Sequence, residues 1–235
     1  MTTTDLRVSV VVPVRNVERY LAEALDSILQ QSIAPGEVIV VDDGSTDATP
    51  AVLERYADQV RVLRQESAGV AAALNHAIAS AHGSLLAFLD ADDVWLPDSL
   101  SCRLARMDEP DQPEAVFGRM QQFVSPDLDE ARAARFRFDP TPQRVELFGT
   151  MLIRRLAVDR VGPLDTSYVT GSNIDWISRA RATGMRAVEV PEIVMRRRLH
   201  ETNLGILQND RKRADLLRIV RAHRRRRPSM PHEET

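Results

Sequence analysis

The sequence predicts an α/β fold with a mostly parallel central sheet, on three observations. Short apolar runs at residues 8–14 and 38–41 are rich in valine and show no polar alternation, as expected of strands buried on both faces. Between such runs lie segments whose apolar residues recur at helical spacing, so strand and helix alternate as in βαβ crossovers. The run Leu85-Leu86-Ala87-Phe88-Leu89 then stops abruptly in Asp90-Ala91-Asp92-Asp93. Ligands of open α/β sheets bind beyond the carboxyl ends of strands, which is where this acidic cluster falls.

Taken in order, residues 8–14 form the first strand, and Leu21, Ala24, Leu25, Ile28 and Leu29 mark a helix over 18–31. Pro35-Gly36 is a turn, and strand 38–41 ends in Asp42-Asp43-Gly44-Ser45. Thr46 or Asp47 can cap a helix running to about residue 57, followed by a third strand at 60–63. Ala68-Gly69 opens an alanine-rich helix to about residue 81, with Gly83 as its C-cap. After the fourth strand the pattern predicts helix 97–107, strand 115–124 and a polar loop over 125–143, a candidate lid or acceptor-binding loop. Strand 147–153, helix 155–160, helix 174–183 and strand 186–190, stopped by Pro191, follow. Leu216, Leu217, Ile219 and Val220 stripe a last amphipathic helix over 210–223, and the arginines from 224 onward begin a tail expected to be flexible.

With 43% hydrophobic residues in 235, the chain can bury a proper core. The net charge of -3 is unevenly spread: acids gather at 42–47 and 90–93, arginines at 196–198 and 224–227. Lys212 is the only lysine, so the arginines reflect coding bias and make no nucleic-acid footprint. A lone Cys102 excludes an internal disulfide and fits a reducing compartment. With no signal peptide and no membrane-spanning apolar run in view, the expectation is a soluble, cytoplasmic protein.

Asp90 and Asp92 would share one side of an extended backbone, where each raises the other's pKa unless a cation intervenes. Oxygen ligands suit Mg2+ or Mn2+. The alternative is a solvated turn leading into the next helix, with Asp93 or Asp98 as N-cap around Pro97. These residues alone leave both readings open.

Four stretches stand in a familiar order: Val8-Ser9-Val10-Val11-Val12-Pro13-Val14-Arg15-Asn16; Val40-Val41-Asp42-Asp43-Gly44-Ser45-Thr46-Asp47; Gln65 through Asn75; and Phe88-Leu89-Asp90-Ala91-Asp92-Asp93. Together they resemble the nucleotide-binding half of family 2 glycosyltransferases with the GT-A fold, closely over residues 7–110 and more loosely to about 205. The resemblance implies one Rossmann-like GT-A domain, a nucleotide-diphospho-sugar transferase fold, over 1–205. Its nucleotide-binding half would be 7–110 and its acceptor half 111–205, with a C-terminal helix and basic tail at 206–235. It implies inverting, metal-dependent transfer from a nucleotide-sugar donor, UDP favoured over TDP or GDP, with Mn2+ or Mg2+, to an acceptor the sequence does not name. Neither nucleic acid nor a transmembrane segment is implied.

By the same resemblance Pro13, Val14, Arg15 and Asn16 meet the base, and Asp42 or Asp43 accepts its N3–H. Arg15 stands where relatives often place an aromatic ring; it stacks in the ring's stead or is simply solvated. Ser67, Gly69 and Asn75 lie beside the nucleotide, although Leu74 replaces a common arginine and Asn75 has a purely structural alternative. Asp90, Ala91, Asp92 and Asp93 match the DxD motif, with Asp92 as first metal ligand, Asp90 on ribose or metal-bound water, and His200 on metal or diphosphate. In the second half, Gly162-Pro163-Leu164-Asp165, Gly171-Ser172-Asn173-Ile174-Asp175-Trp176 and the stretch from Arg196 to Leu204 carry the likeness. Ser172 and Asn173 replace acidic residues, and since Asn173 cannot act as a base, Asp175 is left as the expected catalytic base, with helix capping as its alternative. Trp95 and Trp176 read as core or rim aromatics. Two other classes remain. A sugar-nucleotidyltransferase lacks support, because no glycine-rich signature with a following lysine appears near the first strand. A non-catalytic nucleotide-sugar binder stays open through Asn173. The Gln-x-x-Arg-Trp pattern of processive synthases is absent, which favours single transfers.

Overall fold

The computed structural model describes residues 8–136, 138–203 and 209–226. Its first half alternates as expected: β1 (Val8–Val14), α1 (Leu21–Leu29), β2 (Glu37–Asp42), α2 (Thr49–Glu54), β3 (Arg61–Arg64), α3 (Val70–Ser80) and β4 (Leu85–Phe88). The second half holds β5 (Val94–Trp95), α4 (Ser99–Met107), β6 (Ala115–Val124), α5 (Glu130–Ala133), β7 (Gln143–Arg144), β8 (Met151–Arg154), α6 (Arg155–Val161), α7 (Ser172–Ala182), β9 (Ala187–Leu199) and α8 (Asn209–Arg226).

All strands join one mixed, mostly parallel sheet of order β3-β2-β1-β4-β8-β6-β9-β5, with β7 paired to β6. β1 runs parallel to β2 and β4, β2 to β3, and β6 to β9. β8 enters antiparallel between β4 and β6 and joins the two halves. The unbroken valine run of β1 is explained by the two cores it serves. Val10 and Val12 pack with Leu21, Leu25 and Ile28 on one face, while Val11 packs with Ile39, Ala71 and Leu74 on the other.

Several sequence expectations need correction. α1 begins at Leu21 because residues 17–20 form a turn closed by the Tyr20 and Leu21 N–H groups on the Val17 carbonyl. α3 ends at Ala81 in extended backbone, and Gly83 is no cap: its N–H donates to the buried Ser9 hydroxyl at 2.8 Å. Phe148–Thr150 is a 3₁₀ turn before β8 rather than strand. The 125–143 segment contains α5, capped by Asp129, and β7. α8 continues to Arg226, so the arginines at 224–226 are helical, and the rest of the predicted tail lies outside the described residues.

The largest difference is β9, which does not stop at Pro191 but continues to Leu199. Its register against β6 shifts on either side of Arg119, so Pro191 falls in a bulge where no ladder N–H is demanded. At this irregularity Gly118 lies directly under the Val194 side chain, leaving no room for a Cβ. Gly118→Ala is therefore expected to lower the unfolding free energy by about 1–3 kcal/mol. Urea titration should show a lower midpoint at unchanged slope; an unchanged midpoint would mean that β9 can move aside.

Candidate active site

The crevice is built where β1, β2, β3 and β4 end. Asn16, just past β1, adopts a positive φ of 52°, which asparagine tolerates better than most residues. Its N–H donates to Ser45 Oγ at 3.0 Å and its Oδ1 accepts from the Thr46 N–H at 2.8 Å, lacing the β1 tip to the β2 tip. Arg15 is half exposed, with Nη1 3.8 Å from Asp43. Pro13 is partly accessible, but the Val14 side chain is buried in the core, so only its backbone remains available.

Asp42 is buried and accepts the Ser45 N–H at 2.9 Å. Asp43 is more heavily engaged. It accepts Gln65 Nε2 at 2.8 Å, the Ala68 N–H at 2.7 Å and the Gly69 N–H at 2.9 Å. Its carboxylate thus sits at the N-terminus of α3, where helix geometry favours an anion. Gly44 and Gly69 both have positive φ, and a Cβ on Gly44 would lie 3.0 Å from the Ser67 nitrogen. Glycine there lets the β2 tip close onto the exposed Ser67 loop. Asn75 is committed elsewhere: its Nδ2 donates to the Leu164 carbonyl at 2.9 Å and its Oδ1 accepts the Leu164 N–H at 2.8 Å. That is the structural alternative raised for it, a clamp between the two halves.

The acidic cluster is a turn, closed by the Asp93 N–H on the Asp90 carbonyl at 3.0 Å, so the same-side argument for an extended chain does not apply. Asp90 is exposed, Asp92 partly so, and Asp93 and Ala91 are buried, with Ala91 in the core. Neither capping alternative is realised: Asp98 precedes α4 without a side-chain capping bond, and Asp93 accepts the Arg198 N–H at 2.9 Å. Asp92 Oδ2 meets His200 Nε2 at 3.0 Å and Asn203 Nδ2 at 3.1 Å. His200 is buried, its Nδ1 2.8 Å from Thr202 Oγ1 and its ring 4.5 Å from that of Tyr20. The structure thus brings Asp92 and His200 together across more than a hundred residues, with Asp90 two residues away on the same turn.

Burial raises the pKa of Asp93 well above the usual carboxylate range, with Asp92 and Asp90 adding to the effect. Asp90 keeps solvent contact, yet the protein around its carboxylate, followed by the charge of Asp92, pushes its pKa up to about 6 against the pull of Arg197. Such a crowded set of acids calls for a cation. Among the described residues no three of His, Cys, Asp and Glu form a ready cage. Mg2+ rarely needs one, since it is usually held by one or two carboxylates, waters and substrate phosphates, and the Asp90–Asp92 turn offers that donor set.

Sequence reasoning missed how the triple arginine divides. Arg196 and Arg198 both lie over the Phe123 ring, at 4.5 and 4.7 Å, on one face of β9. Arg198 is buried, bonded to the Asp92 carbonyl at 3.0 Å, to Ser125 and to Glu23. Strand alternation puts Arg197 on the opposite face, where its charge acts on Asp90 and Asp93. Extending the strand past Pro191 would have revealed this division. Asn203 and Tyr20 gave no such signal.

In the second half, Asp175 is 1% exposed and its Oδ2 accepts Arg179 Nε at 2.9 Å. Arg179 also donates to the Val161 and Pro163 carbonyls, and Trp176 Nε1 to the Gly162 carbonyl at 2.7 Å. Asp175 therefore ties α7 to the Gly162-Pro163 turn through Arg179. It is not the helix cap offered as its alternative, since α7 starts without a side-chain capping bond, and its burial does not suit the expected base. Trp176 is a core residue, edge-on to Phe148.

The family profile described as glycosyl transferase family 2 matches residues 9–162. An uncharacterized glycosyltransferase of Nostoc sp. is 38% identical over 119 residues, covering 49% of this chain and 36% of that protein. The chain thus spans about a third of that relative's length. A crystal structure of S. aureus TarS 1–349 in complex with UDP superposes with a TM-score of 0.70 at 20% identity, over 93% of this chain and 65% of TarS 1–349. The mannosyltransferase PcManGT from Pyrobaculum calidifontis, in complex with GDP-Man and Mn2+, gives 0.71 at 24% identity, over 96% and 66%.

Proposed function

This chain belongs to glycosyltransferase family 2 and has the GT-A fold, and from that premise we propose that it transfers a sugar, with inversion, from a nucleotide-diphosphate donor. The observation that carries the reading is the contact of Asp92 with His200 and Asn203 beside the exposed Asp90. Asp90 and Asp92 would hold Mn2+ or Mg2+, which when bound offsets charge gathering on a departing diphosphate. Arg197, on the crevice face of β9, adds a fixed positive charge that a diphosphate would meet. His200 holds the Asp92 carboxylate, and the buried Arg198 holds the turn from beneath.

Of the two β2-tip carboxylates, Asp43 already accepts three donors, which leaves Asp42 as the better acceptor for a uracil N3–H. UDP is the proposed donor nucleotide. It matches the TarS complex, while the GDP-Man of PcManGT makes GDP the comparison to run. We assign Asp175 as a positioning residue of α7. The second reading, a nucleotide-sugar binder without transfer, is favoured by Asn173 in place of an acid together with the burial of Asp175.

Thermal denaturation with UDP, GDP and their sugars, with and without Mn2+, tests the proposal. A ligand at a hundredfold its dissociation constant stabilises by about 2.7 kcal/mol, so a clear upward shift is expected with UDP and Mn2+ together. No shift with any nucleoside diphosphate would refute the donor assignment. A shift without UDP release from UDP-sugar would favour the binder.

A further inference from the structure

The helix α8 is docked on the domain by one face only. Asp215 accepts the Val169 and Thr170 N–H groups, both at 3.0 Å, and Ile219 is buried with its Cδ1 3.2 Å from where a Cβ on Gly171 would stand. His223 Nδ1 lies 2.6 Å from Ser178 Oγ on α7. These contacts fix the helix orientation and leave the opposite face outward. There Leu217 and Val220 are 58% and 48% exposed, although the sequence marks them as part of an apolar stripe.

At 100° per residue, Arg213, Leu217, Val220 and Arg221 fall within one arc of the helix, and both arginines are exposed. The helix sequence, NDRKRADLLRIVRAHRRR, has two acids: Asp215 faces inward, and position 210 falls at the same 100° step in the outer arc, where the arginines outnumber it. A basic face that also presents exposed aliphatic side chains is the pattern of a helix lying in a membrane interface. It fits anionic lipid better than nucleic acid, which would engage the arginines but give Leu217 and Val220 nothing to enter. A second copy of so basic a face would be repelled. No described helix is long and apolar enough to cross a membrane, so the contact would be peripheral.

We propose that the outer face of α8, centred on Leu217 and Val220 and flanked by Arg213 and Arg221, docks this protein on anionic bilayer surfaces. The arginines meet lipid phosphates and the two aliphatic side chains enter the interface. This assignment is independent of the donor and metal reading, because none of these residues belongs to the crevice.

The test is co-sedimentation of the full chain with phosphatidylcholine vesicles with and without phosphatidylglycerol, at low and physiological salt. Binding is expected only with the anionic lipid and should weaken as salt rises. Each arginine near such a surface is worth about fivefold in partitioning, so Arg213→Glu with Arg221→Glu should reduce binding at least about 25-fold. Leu217→Ser with Val220→Ser should reduce it about tenfold. The melting temperatures of both double variants, measured without ligand, should match that of the parent protein and so confirm that they fold. Absence of anionic-lipid binding overturns the proposal. Full binding by the Leu217→Ser/Val220→Ser protein also overturns it, by assigning the attraction to charge alone, as does tighter binding to a duplex oligonucleotide than to the vesicles.

Discussion

Asp92→Asn is expected to lower sugar transfer at least about a hundredfold, about 3 kcal/mol of lost transition-state stabilisation. The substitution preserves shape but removes a charge from the one crevice carboxylate that meets both His200 and Asn203. A cation held by Asp90 alone would lose half of its protein donor set, and His200 would lose the partner that orients it. Because Asp92 keeps some solvent contact, the fold should tolerate the change. UDP binding should accordingly lose most of its Mn2+ dependence while the melting point of the free protein moves little. If Mn2+ enhances UDP binding equally in both proteins, the metal is not held at this turn.

The second large effect concerns Asp175→Ala, and it is an effect on stability. With Asp175 gone, Arg179 keeps its carbonyl contacts but loses its buried counter-charge at the foot of α7. Breaking a buried pair costs about 3–5 kcal/mol; Arg179 retains some solvent contact, so about 2–4 kcal/mol is expected here. Urea unfolding followed with turnover per folded molecule separates the two roles. An anchoring Asp175 gives a large fall in midpoint, and its folded fraction keeps most of its turnover. A general base gives the reverse, with near-normal stability and turnover down by about a hundredfold or more.

The parts of the fold that could be read from sequence are those governed by local pattern. The valine run of β1 and the apolar run into Asp90 are strands because burial on both faces leaves no polar alternation to mistake. The acidic cluster at the end of β4 is equally visible, but its backbone conformation is not: the extended and turn readings stay open until the Asp93 N–H is seen on the Asp90 carbonyl. What stayed hidden depends on residues distant in sequence. β9 looked finished at Pro191 because a bulge that excuses the proline shows only in the pairing with β6. Asp175 and Asn75 looked like site residues from their neighbours in sequence, and only the packing of the Gly162-Pro163-Leu164 turn shows what engages them. Asp43 read as a nucleotide acceptor because its hydrogen bonds go to a loop more than twenty residues away.

The division of the triple arginine gives β9 a part in quality control. Arg198 stacks inward under the acidic turn while Arg197 stays on the crevice side, and nothing in Arg196-Arg197-Arg198 itself distinguishes one from the next. A slip of one residue during assembly would exchange the two faces. It would also carry His200 away from Asp92. The slot between Ser125, the Asp92 carbonyl and the exposed Glu23 buries one guanidinium, and the bulge beside Pro191 fixes which arginine arrives there. A misaligned chain would also turn Val190 and Val194 off the core, so the register that assembles the acidic turn is the one that packing favours. The register of β9 thus separates a merely folded molecule from one with its acidic turn assembled.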